Sequence, residues 1–416
     1  MQHMTPPCDN PPPPHPASCL PLISLARYSA LLSLRELRSA ILASVLGRLP
    51  IGITGLAILL LAQEATGSYG QGGLVAASYV AGLATVAPLF GRLIDRYGPR
   101  ASLLACSFAF PASLAALVAA LSSGASPWLA LVLAGSAGAC FPPITVCMRT
   151  FFRQRLKDND GLLATAYSLE SVLIELIFIL GPALVALFAA FASPAAAVLF
   201  AAFCGCAGSL LFQRSRALAE WRIEPRGAPS LFGPLAQRGF LPLLLVILCY
   251  ACAFGLVEIG TTAYATEAGA PPLAGLLLGV MSVGSAVGGL IYGSRNWRMP
   301  LTRQFSSMLA FMGIGIAPLA MISGPWAFAA WCLVAGIAMA PALIMQSMLV
   351  ARSARTDHAT EAFTWSSTSL LAGVGLGLSL GGAMLESTRS ATVFAAAAVL
   401  SILAGGLARA LLRREG

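Results

Sequence analysis

Charge is what this chain has least of. Only 10% of its residues are charged, while 58% are hydrophobic and the mean hydropathy is +0.82. Soluble domains carry roughly 25% charged residues, so a soluble globular protein is excluded. The 416 residues divide more naturally by the ~20 apolar residues that one bilayer crossing needs. Histidine is scarce as well. His3, His15 and His358 are the full set, and none lies in an apolar run, so the hydrophobic spans hold no histidine for metal binding or acid–base chemistry. No G-x-x-x-x-G-K-[ST] loop occurs, which argues against ATP hydrolysis by this chain, and no paired aspartate motif suggests an intramembrane enzyme. The N-terminal stretch lacks the positive region and apolar run of a signal peptide.

Cysteine is plentiful, yet eight of the ten lie inside apolar runs, where a thiol behaves as a small hydrophobe. Cys249 and Cys252 form a C-x-x-C without a second pair, so no metal and no cofactor is expected. The net charge of +9 is scattered among hydrophobic spans. It points to membrane orientation and lipid contact rather than to nucleic acid.

Six apolar segments of spanning length lie between residues 40 and 212, and six more between 241 and 410. The expected fold is therefore all-α and integral to the membrane, with twelve transmembrane helices in two pseudo-symmetric six-helix bundles. Residues 1–38, with PPCDNPPPPHP, read as a disordered, proline-rich cytoplasmic tail. Residues 39–212 form the first bundle, 213–240 an Arg-, Pro- and Gly-rich linker, and 241–416 the second bundle with a short basic tail. With both termini inside, 23 of the 25 Lys and Arg residues fall on the cytoplasmic side. The positive-inside rule thus fixes the orientation expected in a plasma (inner) membrane. Glycines repeat between the halves: Gly73, Gly82 and Gly91 correspond to Gly275, Gly284 and Gly293 at an offset of 202, and Gly138 with Pro143 to Gly336 with Pro341 at 198. Parallel repeats of this kind place a binding site at their interface near the bilayer midplane.

Between spans two and three stands Gly91-Arg-Leu-Ile-Asp95-Arg96-Tyr-Gly98-Pro-Arg100. It resembles the signature loop of the major facilitator superfamily, G-x-x-x-D-R-x-G-R-R, and departs from it at Pro99. The resemblance covers about residues 40–412. It implies a monomeric carrier of a small molecule that works by alternating access, with the proton gradient as its energy source. It also implies that Asp95 bonds the N-terminal end of span eleven, near Thr360 to Phe363, and so closes the cytoplasmic side. The matching loop of the second half, Gly293-Ser-Arg-Asn-Trp-Arg298, has no aspartate. The antiporter motif of span five survives only as Gly181-Pro182, and span four, read as Leu131 to Gly138, shows no buried arginine.

Charges within spans are costly and usually functional. Arg48 and Glu170 each lie about nine residues, ~14 Å, past the cytoplasmic end of their spans. They are expected to pair, leaving Glu175, about 140° further round its helix, to bind a proton. A purely structural ion pair is the competing reading. In span seven, Tyr250, Phe254, Glu258, Thr261 and Thr262 stand at helical spacing on one face, with Gln346 opposite in span ten, as expected of substrate contacts. Pro142, Pro143 and Pro341, together with Gly181 and Pro182, mark helix bends. The near-complete loop and the lack of paired cavity arginines favour proton-coupled export of a neutral or amphipathic compound. Uptake by symport and a non-transporting receptor are the alternatives.

Overall fold

The computed structural model describes residues 25–219, 221–223, 233–237, 239–270 and 273–412. The first 24 residues of the tail, with Cys8 and Cys19, and residues 224–232 of the linker lie outside the described residues.

Among the described residues the chain is helical, and eleven of its helical segments are long and apolar enough to cross a membrane. The twelfth crossing is span nine. Its α-helix, Leu301–Ile316, has 16 residues and rises ~24 Å. A 3₁₀ continuation over Ala317–Ala320 adds ~8 Å, which brings the whole to the ~30 Å thickness of a hydrocarbon core. The other crossings lie in helices Arg35–Thr66, Tyr69–Tyr97, Pro99–Ser122, Pro127–Leu156, Asp160–Phe191 and Pro194–Gln213 of the first half. In the second half they are Phe240–Glu267, Leu273–Gly293, Pro325–Ser353, Ala359–Leu385 and Ser390–Leu411. Membrane-spanning helices satisfy their own backbone groups, which is why no other regular element is needed here.

Two crossings are broken. In span four the helix stops at Ala139 and resumes at Ile144, so Pro142 and Pro143 interrupt the span rather than merely bend it. Span ten breaks at Ile337–Ala338, and Pro341 then sits in the first turn of the helix Met339–Ser353, where its missing N–H goes unneeded. Span five, by contrast, runs unbroken through Pro182.

Gly181 serves close packing rather than bending. A Cβ on it would fall inside the backbone of Gly52 in span one, the small-residue contact that lets membrane helices approach. The glycine correspondence between the halves has the same physical meaning in both. Gly82 and Gly138 seat span two on span four, and Gly284 and Gly336 seat span eight on span ten.

Residues Leu25–Ser33, assigned above to the tail, form a helix before span one. Glu267, at the far end of span seven, accepts hydrogen bonds from the amide (2.8 Å) and hydroxyl (2.7 Å) of Ser390, the first residue of span twelve.

The Gly52–Gly181 contact is open to a direct test. Gly181→Ala should lower thermal stability in detergent by about 1–3 kcal/mol through overpacking. Gly55→Ala, on the same helix as Gly52 but with nothing within 4 Å of its Cβ position, should stay within about 0.5 kcal/mol.

Candidate functional site

The two halves meet at the arginine-rich ends of their helices. At the centre of that contact the Asp95 carboxylate accepts from the backbone N–H of Thr360 (3.0 Å) and of Glu361 (2.8 Å). These amides belong to the first turn of span eleven, whose own N-cap residue, His358, makes no side-chain cap. Asp95 therefore caps span eleven from another helix, supplying the acceptor and the negative charge that a helix N-terminus favours. Arg92, one turn earlier, donates to Glu361 Oε1 through Nη2 (2.7 Å) and Nε (3.2 Å). Gly91 lies directly against Thr364 and Glu361, leaving no room for a Cβ.

The equivalent junction of spans five and eight is closed without a carboxylate. Thr165 donates to the Gly293 carbonyl (2.7 Å) and Ser168 to that of Gly289 (2.6 Å). Tyr28, from the helix before span one, reaches into the same seam. Its hydroxyl bonds Ser168 (2.8 Å) and the Leu290 carbonyl (3.1 Å), joining the first half to the second. Burial pushes the Tyr28 phenol above its usual range, so it stays protonated and donates. Arg153 adds bonds to the Ala354 and Arg355 carbonyls, and the exposed pair Arg352–Asp160 (2.6 Å) adds another link.

Bonds between the halves continue inward to Thr368 on the Ala84 carbonyl (3.0 Å) and Ser285 on Glu175 (2.6 Å). These points lie 13 residues before Tyr97 and 15 after Asp160, ~20 Å from the basic end. The protein is thus closed from its basic end to about mid-depth.

Within this closed zone lies a buried ionic cluster. Glu170 Oε1 is 2.9 Å from Arg149 Nε and 3.7 Å from Arg48 Nη2, and all three residues are 9% exposed or less. The second half offers a neutral counterpart: the Tyr250 hydroxyl donates to Gln346 Oε1, and Gln346 Nε2 donates to Ser366 (2.6 Å). Arg149 is within electrostatic range of Tyr250. The Tyr167 hydroxyl donates to the Arg149 carbonyl (3.3 Å), and its ring packs on Phe363 of span eleven at 6.3 Å.

A sequence model of the Major Facilitator Superfamily matches residues 40–294. The chain belongs to the major facilitator superfamily. No curated protein matches it. Among solved structures it is similar to the human organic anion transporter MFSD10, at 18% identity over 89% of this chain and 99% of that one, with a TM-score of 0.66. A bacterial homologue of the iron transporter ferroportin in its outward-facing state matches at 14% identity, 91% and 98% coverage and a TM-score of 0.67. The proton:xylose symporter XylE matches at 13% identity, 91% and 95% coverage and a TM-score of 0.68. At these identities the likeness is one of fold.

The motif residues divide by task. Gly98 takes φ +82° at the turn, a region that favours glycine. Pro99, the departure from the family pattern, begins span three at a position suited to proline. Arg96 covers the ring of Tyr97 at 5.1 Å, and Arg100 is exposed.

Two expectations need correction. The superfamily member does have a buried arginine in span four, because the helix resumes at Ile144 and carries Arg149 inward instead of leaving it in a loop. The span-seven stripe also divides: Tyr250 is fully buried beside Phe254, whereas Glu258 and Thr262 are exposed. Eight residues advance ~80° round a helix, enough to turn the two ends to different surroundings. Thr262 bonds the Glu258 carbonyl (3.0 Å) and Thr261 that of Val257 (2.8 Å). Arg92, Tyr28, Ser285 and Ser366 are further participants. Only Arg149 left a trace in sequence, since Phe151 and Phe152 after it continue the apolar run.

Asp95→Asn should weaken the closed state by about 1–2 kcal/mol, the difference between charge-assisted and neutral hydrogen bonds. Labels on the basic ends of spans two and eleven should then report an open population enriched about 5–30-fold. Tyr28→Phe removes the single O–H donor that serves Ser168 and the Leu290 carbonyl in the other seam and should shift labels on spans five and eight the same way, by about 1 kcal/mol. Unchanged distance distributions would count against each assignment.

Proposed function

We propose that the protein is a proton-coupled secondary transporter of a small organic solute, working by rocking of its two halves about a central site. The carrying observation is the Asp95 cap on span eleven. It joins the halves through contacts that can be broken and remade as units, as a gate requires. The positive-inside distribution orients this gate toward the cytoplasm, so the closed end is the cytoplasmic one in a plasma (inner) membrane.

Glu175 is the candidate proton carrier. Glu170 is held by two arginines, whereas among the described residues no cation pairs with Glu175, which takes only serine donors from span eight. That seam must part when the halves rock, so the carboxylate's surroundings change with the transport cycle. Such a change is what links proton binding to conformation.

Export is the direction favoured by the near-complete loop. The second ground for export of a neutral compound, the absence of paired arginines, is removed by the meeting of Arg48 and Arg149. Uptake by symport therefore stands as the second reading.

Purified protein in liposomes with an imposed pH gradient tests all of this. An antiporter accumulates solute when the lumen is acidic, and a symporter when the outside is acidic. Glu175→Gln should make movement insensitive to the gradient while leaving counterflow intact. A variant that keeps the wild-type response would remove Glu175 from the coupling role. Movement of no solute under any gradient would favour a non-transporting membrane receptor.

A further inference from the structure

The cluster of Arg48, Arg149 and Glu170 holds two positive charges and one negative. Arg48 is 1% exposed, and its Nε and Nη2 donate no hydrogen bond. Guanidinium groups keep their proton, and a buried charge without a counter-charge is strongly unfavourable. Within this cluster the formal excess is therefore +1, in a low-dielectric setting.

Its place in the fold says what that charge meets. Arg149, Gln346 and Ser366 each lie seven residues from the basic end of their helix (from Leu156, Ser353 and Ala359). Glu170 and Tyr250 lie ten residues from theirs (Asp160 and Phe240). At 1.5 Å per residue all five sit ~10–15 Å deep, at one level, on both sides of the interface between the halves. Cationic groups of the first half thus share this level with neutral hydrogen-bonding groups of the second, and Arg149 is within electrostatic range of Tyr250.

From this juxtaposition we infer that the central site takes a small organic monocarboxylate, with Arg48 and Arg149 binding its carboxylate and Tyr250, Gln346 and Ser366 facing its polar neutral part. The inference rests on the reading of the protein as a transporter and supplies its substrate class. A single carboxylate balances the surplus charge, and its planar fork suits guanidinium donors. A cationic substrate would add to the surplus, and a neutral one would leave it standing. Glu170 orients the arginines and tempers their charge, so that the anion is bound without being trapped.

The test uses the full chain in detergent and three matched pairs: benzoate and benzamide, lactate and lactamide, nicotinate and nicotinamide. At least one acid should raise the melting temperature saturably while its amide does not. Glu170→Gln removes the competing negative charge and should lower the half-saturating concentration of that acid by about tenfold. Arg149→Gln should abolish the effect. The comparison of acid with amide on the wild-type chain stands even where a variant does not fold. Absence of any response to the acids, equal responses to acid and amide, or an unchanged half-saturation in Glu170→Gln would each overturn the inference. Liposome transport of an uncharged solute without acid binding would sink the carboxylate class and leave the transporter standing. Acid binding with no solute moved would do the reverse.

Discussion

A carboxylate on one helix caps the N-terminus of another, and the rest of the arrangement depends on that contact. The first amides of any helix lack partners within it. Span eleven leaves this need unmet locally, because His358 contributes no side-chain cap. Asp95 meets it from across the interface. The energy of the closed state is thereby tied to the relative position of the two halves, and the same contact brings Arg92 onto Glu361 and Gly91 against Thr364.

The pseudo-twofold relation of the halves makes their differences informative. Gly91 and Gly293 occupy equivalent positions, one against span eleven and the other against span five. One seam is held by charge acting on a helix terminus, the other by hydroxyl groups on carbonyls with Tyr28 inserted between. At the basic end the first relies on ionised side chains and the second chiefly on neutral ones. Glu175 lies in the second seam, deeper than these hydroxyl bonds, and brings a titratable group to a place otherwise closed by neutral ones.

Among the described residues, charged groups are buried both at the basic end of the interface (Asp357, Glu361) and deeper (Arg48, Arg149, Glu170). Within each half, many helix contacts are made through glycine and small residues, alongside the polar clusters Arg48–Arg149–Glu170 and Tyr250–Gln346–Ser366. Close helix packing makes each half rigid, and rigidity lets a change in a few polar contacts move the half as a body.

Hydropathy and the arginine count were enough to read twelve crossings, two halves and a basic side from the sequence, because a bilayer imposes on composition what water does not. The ninth crossing was legible for the same reason, since its apolar run is longer than its α-helical part. Asp95 and its target were legible through the family loop, and the shared depth of Arg48 and Glu170 through helical rise alone. Arg149 was not, because a basic residue at the end of an apolar run looks like a loop until the break at Pro142–Pro143 is seen to let the helix restart and carry it inward. Nor was the division of span seven, where helical periodicity gives angles but not neighbours. Sequence by itself determined what must lie in the membrane and at what depth, since rise per residue is nearly constant. Only the tertiary structure decided which charges share a partner and which are left over, because that depends on how helices distant in the chain are turned toward one another.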